Sequence, residues 1–343
     1  MVVLALLNAV WRGGSTMAEQ LLFSTTVTPP FLLDEPANAR WPQHSAVTSN
    51  LHALCCDFSQ HNVTQLLRWE YWRGMFSDQV RALSYDSLAD LKQRCHGRAG
   101  WSRGSSVRAV KTIRMKGELV SFAEACRELA SGHGSGRPRL NVSCVIIQLV
   151  RHPRTTLISQ RPFNKTLDAD ALCRPILQDV RAAEALQAER VELEAAASAS
   201  ASAHAALVAL PRVSLVKYDE LLSAPEATVR AIHAQLRVRT SPAKLASFLL
   251  GHLSLNRSQL SAELRRHAPP PTPPPSPPSP SSQRPGASPR GTARPPLVSK
   301  FGSSSTSAFG TVREPRVCES TDAMVQWPVC AELVRRLHPL HVC

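Results

Sequence analysis

This chain predicts a single α/β domain: a central parallel sheet flanked by helices, with a disordered proline-rich insertion towards the C-terminus. Three observations predict it. Apolar runs of strand length alternate with segments whose apolar residues recur at a helical period, and strands alternating with helices pair in parallel. The run from Val142 to Val150 is apolar apart from Ser143 and Gln148, as in a strand covered on both faces. The insertion contains Pro269-Pro270-Pro271-Thr272-Pro273-Pro274-Pro275, a composition that cannot build a core.

In chain order, residues 2–10 read as the first strand. A glycine-containing turn follows, then a helix from about Ser15 to Phe23. Phe31–Leu33 is a short apolar piece running into Asp34-Glu35-Pro36. Residues 37–65 read as loop and short helix, and 66–95 as helical at a period near 3.6. Residues 107–115 alternate well enough for a strand, and 122–129 form a helix. After the strand at 142–150, Pro153 disfavours helix at His152 and turns the chain. A helix at about 173–208 ends in an alanine/serine run, 192–206, that resembles low-complexity padding. Residues 213–218 form a strand. The next helix starts at Ser223-Ala224-Pro225-Glu226, with Val229, Ile232 and Leu236 on one face. A last helix is expected at 328–338. The domain therefore spans 1–266, a disordered Pro/Ser linker covers 267–296, and 297–343 completes the domain.

Of the 343 residues, 40 are basic and 26 acidic, for a net charge of +14. Half of that excess, seven Lys or Arg with no Asp or Glu, lies in 264–313 and so mostly outside the predicted core. Aromatic content is 5%. Both facts oppose a nucleic-acid binder, which needs a basic surface with stacking rings. No pair of the nine cysteines has zinc-ligand spacing, so no metal site is expected. Four of the seven asparagines, Asn62, Asn141, Asn164 and Asn256, begin Asn-x-Ser/Thr, where about one is expected by chance. This excess favours a secretory-pathway lumen. Residues 1–10 are too short to span a bilayer and lack a basic leader, so any membrane attachment is expected through an N-terminal anchor absent from this sequence.

Two places suit an anion. In Arg12-Gly13-Gly14-Ser15-Thr16, glycines let the backbone turn tightly, the next amides open a helix with the positive end of its dipole, and Arg12 adds a forked charge. An ordinary strand–helix turn with an N-cap serine would read the same way. The lysine and spacing of a nucleotide-triphosphatase loop are absent, which opposes a nucleotide kinase. In Leu149-Val150-Arg151-His152-Pro153-Arg154, Arg151 ends a strand and Ser159 follows eight residues later. A guanidinium and a hydroxyl so placed can share one phosphate, or Arg151 can pair with a surface carboxylate. Both places fall at carboxyl ends of strands, where parallel sheets bind ligands. Two such sites suggest one ligand with phosphate at both ends.

These residues resemble the sulfotransferases that use 3′-phosphoadenosine 5′-phosphosulfate (PAPS). They are most similar to the Golgi carbohydrate sulfotransferases of the keratan/N-acetylglucosamine 6-O type. Further blocks match in order: Leu33-Asp34-Glu35-Pro36, Cys56-Asp57-Phe58-Ser59, Val110-Lys111-Thr112-Ile113-Arg114, and Val216-Lys217-Tyr218-Asp219-Glu220-Leu221 with Pro225. The match covers roughly residues 5–236. The resemblance implies the P-loop-kinase-like sulfotransferase fold, PAPS as co-substrate without a metal, a glycan or glycoprotein acceptor, and the Golgi lumen. Arg12, Gly13, Gly14, Ser15 and Thr16 would hold the 5′-phosphosulfate, and Arg151 with Ser159 the 3′-phosphate. The chain departs from the family at His152, where Asp is usual, at Gln160, where Arg is usual, and in a C-terminal part that echoes it only at 309–313 and 327–330.

Sulfuryl transfer needs the attacking and leaving oxygens in line, charge stabilisation on the leaving phosphate and a base for the acceptor hydroxyl. Arg12 and the turn amides are expected to stabilise the leaving group. Glu35, at a strand end beside a proline, is the expected base. It also reads as an exposed loop glutamate or as one that orients the acceptor. Lys111 and Arg114 end a strand on the same cleft; Arg114 is read as a partner for carboxylates, and Lys111 is left open between that and an anionic acceptor. A relative that binds nucleotide or glycan without turnover is the alternative to an active enzyme.

Overall fold

Five parallel strands form one sheet in the spatial order β2-β3-β1-β4-β5, where β1 is Val2–Asn8, β2 Phe31–Asp34, β3 Val107–Thr112, β4 Val142–Val150 and β5 Arg212–Lys217. The computed structural model describes residues 2–10, 13–40, 43–74, 85–96, 107–113, 115–132, 142–160, 168–253, 255–269 and 327–337, with only the backbone of 69–74. Residues 270–296 of the proline-rich linker, Asn141, Asn164, Arg114 and 309–313 lie outside the described residues.

β1 is central because it is buried on both faces. Leu4 and Leu6 pack into one layer and Val3, Ala5 and Leu7 into the other, as strand alternation requires. The steps β2 to β3, β3 to β4 and β4 to β5 all run one way across the sheet. Their helices lie mainly on the first face: α2 (Ala46–Leu54), α3 (Val63–Gly74), α4 (Leu88–Cys95), α5 (Leu119–Ser131) and α7 (Ala169–Ala196). The step from β1 to β2 runs the other way. A right-handed crossover in the reverse direction places its helix on the opposite face, and α1 (Ser15–Ser24) lies there. It is joined on that face by α10 (Pro225–Leu236), α11 (Pro242–His252) and α12 (Ala262–His267). Connections therefore diverge between β1 and β4, which makes the crevice at their carboxyl ends the topological switch point.

The architecture is the α/β class the sequence predicts, a parallel sheet flanked by helices. Local boundaries differ in instructive ways. The run 66–95 is not one helix: α3 ends at Gly74, and α4 restarts at Leu88 behind Ser87, whose side chain accepts the Asp90 N–H. The predicted helix at 173–208 begins earlier, at Ala169 behind the Asp168 cap. It breaks at 197–200 into α8 (Ala201–Ala209), which buries no residue. β5 stops at Lys217, and Tyr218 opens the short helix α9 (Tyr218–Ser223).

Among the described residues six cysteines form disulfides: Cys56–Cys95, Cys126–Cys144 and Cys173–Cys330. The third joins α7 to α13 (Pro328–Leu337) across 157 residues of sequence. Leu333 and Leu337 of α13 pack with Val150, Leu157, Ile176 and Val180, beneath the end of β4. Arg336 of α13 pairs with Glu184 of α7 at 2.6 Å. Closing so long a loop removes much of the unfolded chain's freedom. Replacing Cys173 and Cys330 together with serine should lower unfolding free energy by about 2–5 kcal/mol in urea titration and expose 327–337 to protease. Unchanged stability would show that α13 holds without the bond.

Candidate functional site

The first anion turn is built by two glycines. Ala9 N–H still donates to Thr112 O beyond the end of β1, at 3.1 Å, and Gly13 N–H closes the turn on Val10 O at 2.9 Å. Gly14 has φ 83°, in the left-handed region, and a Cβ there would lie 2.1 Å from Cε2 of Tyr218. Gly14, not a serine, is therefore the N-cap of α1. It offers no side-chain acceptor, and the first turn of α1 holds no acid. The opening amides thus keep their donors and the positive end of the dipole facing the turn. Ser15 is buried and Thr16 exposed. Arg12 lies outside the described residues.

The second turn follows β4. The Arg151 guanidinium lies over the Tyr218 ring, 4.8 Å from its centroid. His152 caps α6 (Pro153–Gln160): its Nδ1 accepts the Arg154 N–H at 3.2 Å, and its carbonyl accepts the Thr156 N–H and the Thr155 hydroxyl. An aspartate at this position would cap in the same way, so histidine here serves the same turn. Ser159 is half-buried in the last turn of α6, on the face that carries His152, Thr155 and Thr156.

One ring joins the two turns. Tyr218 packs on the backbone of Gly14 and also carries the Arg151 guanidinium. Gly13 to Thr16 and Arg151 thus meet at the β1/β4 switch point. The sequence reading quoted Tyr218 only within a matching block. Its role as the common wall was missed, because nothing in sequence separation links residues 14, 151 and 218.

Glu35 stands two strands away, roughly 10 Å from β1 by the spacing of strands in a sheet. It is not an exposed loop residue: its side chain is 6% exposed. Its φ of 48° is left-handed, uncommon for a non-glycine residue. Oε1 accepts from Lys111 Nζ at 2.8 Å and Oε2 from Asn38 Nδ2 at 2.7 Å, while Glu35 N–H donates to Lys111 O. Lys111 also pairs with Asp34 at 2.8 Å. The parallel register sets Asp34 beside Lys111, so strand pairing itself builds this buried ion triad. Among the alternatives left open for Lys111, this geometry favours pairing with carboxylates.

No family model matches the sequence, and no curated protein matches it. A solved structure does. The chain is similar to the sulfotransferase domain from the Synechococcus PCC 7002 olefin synthase, with 14% identity and a TM-score of 0.36 over 77% of this chain and 79% of that one. Among the described residues, no three His, Cys, Asp or Glu side chains are grouped so as to hold a metal ion.

A second buried acid supports the site from below. Asp179 of α7 accepts the Leu119 N–H through Oδ1, and the Gly117 N–H and Asn8 Nδ2 through Oδ2, at 3.2–3.3 Å. It serves as the missing side-chain cap of α5, whose own N-cap, Glu118, makes none. Asn8 also donates to Gln148 Oε1 at 2.8 Å, tying the tip of β1 to β4 at their shared register. Burial pushes the Asp179 carboxyl up to about 7, against the lowering effect of the three donors, with Glu118 adding repulsion. The sequence did carry a signal for it: an acid in the stripe Cys173, Ile176, Val180 and Ala183, otherwise apolar and buried.

The sign of the resulting pH dependence is fixed. The folded value lies above the ordinary 3.8, so the native state binds more protons than the unfolded chain between those pH values. Stability from this group is full below that window and declines as pH rises through it to about 7. Asp179→Asn should flatten that decline in thermal unfolding between pH 5 and 8, with a cost of about 1 kcal/mol at pH 5 for the lost acceptor. An unaltered pH profile in the variant would exclude this role.

Proposed function

We propose that this chain is a sulfotransferase that moves a sulfuryl group from PAPS to a carbohydrate hydroxyl, with 6-O as the position the family resemblance favours. The meeting of both anion turns on Tyr218 carries the proposal. A nucleoside with phosphate at each end needs two anion sites that one ligand can span. Gly14 is required because a Cβ there would strike the Tyr218 ring, so the glycine lets that ring, which also carries Arg151, pack against the first turn.

On this reading the opening amides of α1, the hydroxyls of Ser15 and Thr16, and Arg12 hold the 5′-phosphosulfate, and Arg151 with Ser159 holds the 3′-phosphate. The donor supplies the activated sulfuryl group. The chain supplies donors fixed in advance where negative charge grows on the leaving phosphate, so little reorganisation is needed. Glu35 accepts the acceptor's hydroxyl proton, with Lys111 and Asn38 holding its carboxylate in one orientation. The acceptor is a glycan or glycoprotein. The reading also puts the protein in the Golgi lumen, supported by the four sequons and by three disulfides, which persist in oxidising compartments. No helix among the described residues is long and apolar enough to cross a membrane.

One observation favours a second reading, a fold that binds nucleotide or glycan without turnover. Both carboxylate oxygens of Glu35 already have partners, so the residue can serve as the centre of a structural ion cluster.

Adenosine 3′,5′-bisphosphate should raise Tm, with about 2.7 kcal/mol of stabilisation at a hundredfold excess over Kd, while ATP does little. Gly14→Ala should abolish the shift. Absence of any shift in the unaltered protein would defeat the donor assignment. Glu35→Gln should cut transfer to a glycan panel by roughly 100-fold or more while the bisphosphate shift survives. Normal turnover in that variant would leave Glu35 a purely structural residue.

A further inference from the structure

Of the four Asn-x-Ser/Thr sites, the described residues include Asn62 and Asn256, and the fold treats them differently. Asn62 is half-buried at the start of α3. Its Oδ1 accepts the Gln65 N–H at 3.1 Å and its own N–H donates to Ala39 O at 2.6 Å. Gln65 in turn donates to Asn38 O, beside the Glu35 cluster. A sugar there would crowd the mouth of the candidate site.

Asn256 lies in the link between α11 and α12. Asn256, Arg257, Ser258 and Gln259 are all exposed, in a single short turn. The Asn256 N–H donates to Gln259 Oε1 at 2.7 Å, and the Gln259 N–H donates to the Asn256 carbonyl at 2.9 Å. These bonds hold the backbone, with the Asn256 side chain facing the Gln259 N–H as the acceptor of a capping box, a role of Oδ1 and not of Nδ2. Leu255 and Leu260 pack inward on either side and Arg257 donates to the carbonyls of Arg265, Ala268 and Pro269, so the turn is anchored while Asn256 and Ser258 stay exposed. A second, independent observation points to the compartment in which such sites are used: the three disulfides.

We infer that Asn256 is an N-glycosylation site. The inference rests on the lumenal part of the proposed function and not on sulfuryl transfer. The co-reactant is an oligosaccharide linked to a lipid pyrophosphate. The anomeric C–O bond to the pyrophosphate breaks, the anomeric carbon bonds to Nδ2, Nδ2 gives up one proton, and the lipid pyrophosphate leaves. Ser258 supplies the hydroxyl that the acceptor motif requires.

The test uses the full-length protein purified from eukaryotic cells that express its own gene, treated with peptide N-glycosidase and mapped by mass spectrometry. The expected result is aspartate at position 256 after treatment, marking the removed glycan. Ser258→Ala, which leaves Asn256 in place, should abolish that mark with Tm unchanged. Recovery of position 256 as unmodified asparagine overturns the inference. If Cys173 and Cys330 are then also free thiols, the lumenal reading falls with it. The bisphosphate shift, measured on the same preparation, stands or fails separately, so a lost glycan site is distinguishable from a lost donor site.

Discussion

The parallel pairing of β1 with β4 is the constraint from which the site follows. Its register runs from Val2 opposite Val142 to Asn8 opposite Gln148 without a bulge. Because β1 ends opposite Gln148, only two residues before β4 ends at Val150, the turns that follow leave the sheet side by side. Because their connections diverge to opposite faces, a crevice opens between those turns. Tyr218, delivered by the end of β5, closes its wall against both. A one-residue slip of β4 would turn Gln148 off the face it shares with Asn8 and break the link that holds the strand tips level.

Charge is buried on both sides of this edge, and the arrangement of partners explains how it is tolerated. On the β2–β3 side Lys111 stands between Asp34 and Glu35, one cation for two acids, with Asn38 taking a remaining lone pair. On the other face no cation among the described residues pairs with Asp179. It is satisfied by two backbone N–H groups and an amide, and desolvation is left to raise its proton affinity. Neutral donors compensate the burial of a carboxylate only in part, so the second cluster is a brace for the strand tips that responds to pH.

The C-terminal helix α13 is bound into the same edge through α7. Its Leu333 and Leu337 share a cluster with Val150, the residue before Arg151. The bond between Cys173 and Cys330 holds that packing in place across the linker that separates α13 from the rest of the chain.

Much of this was legible in the sequence because it depends on local pattern. Continuous apolar runs with helical segments between them are enough to specify a parallel sheet, and β4 falls where its run begins and ends. A glycine pair between strand and helix is enough to specify a tight turn at the start of a helix. What depends on contacts between distant residues was not legible. Glu35 reads as a base, an acceptor-orienting residue or an exposed loop residue until β2 is set beside β3 and Lys111 reaches it. His152 reads as a lost acid until its Nδ1 is seen to cap α6. Six cysteines could be paired only once the helices were packed. Sequence by itself determined the strands, their parallel class and the two turns, because those follow from residue type at short range. Only the tertiary structure decided that residues 14, 151 and 218 are neighbours, because strand order and register bring together groups whose separation along the chain carries no information about distance.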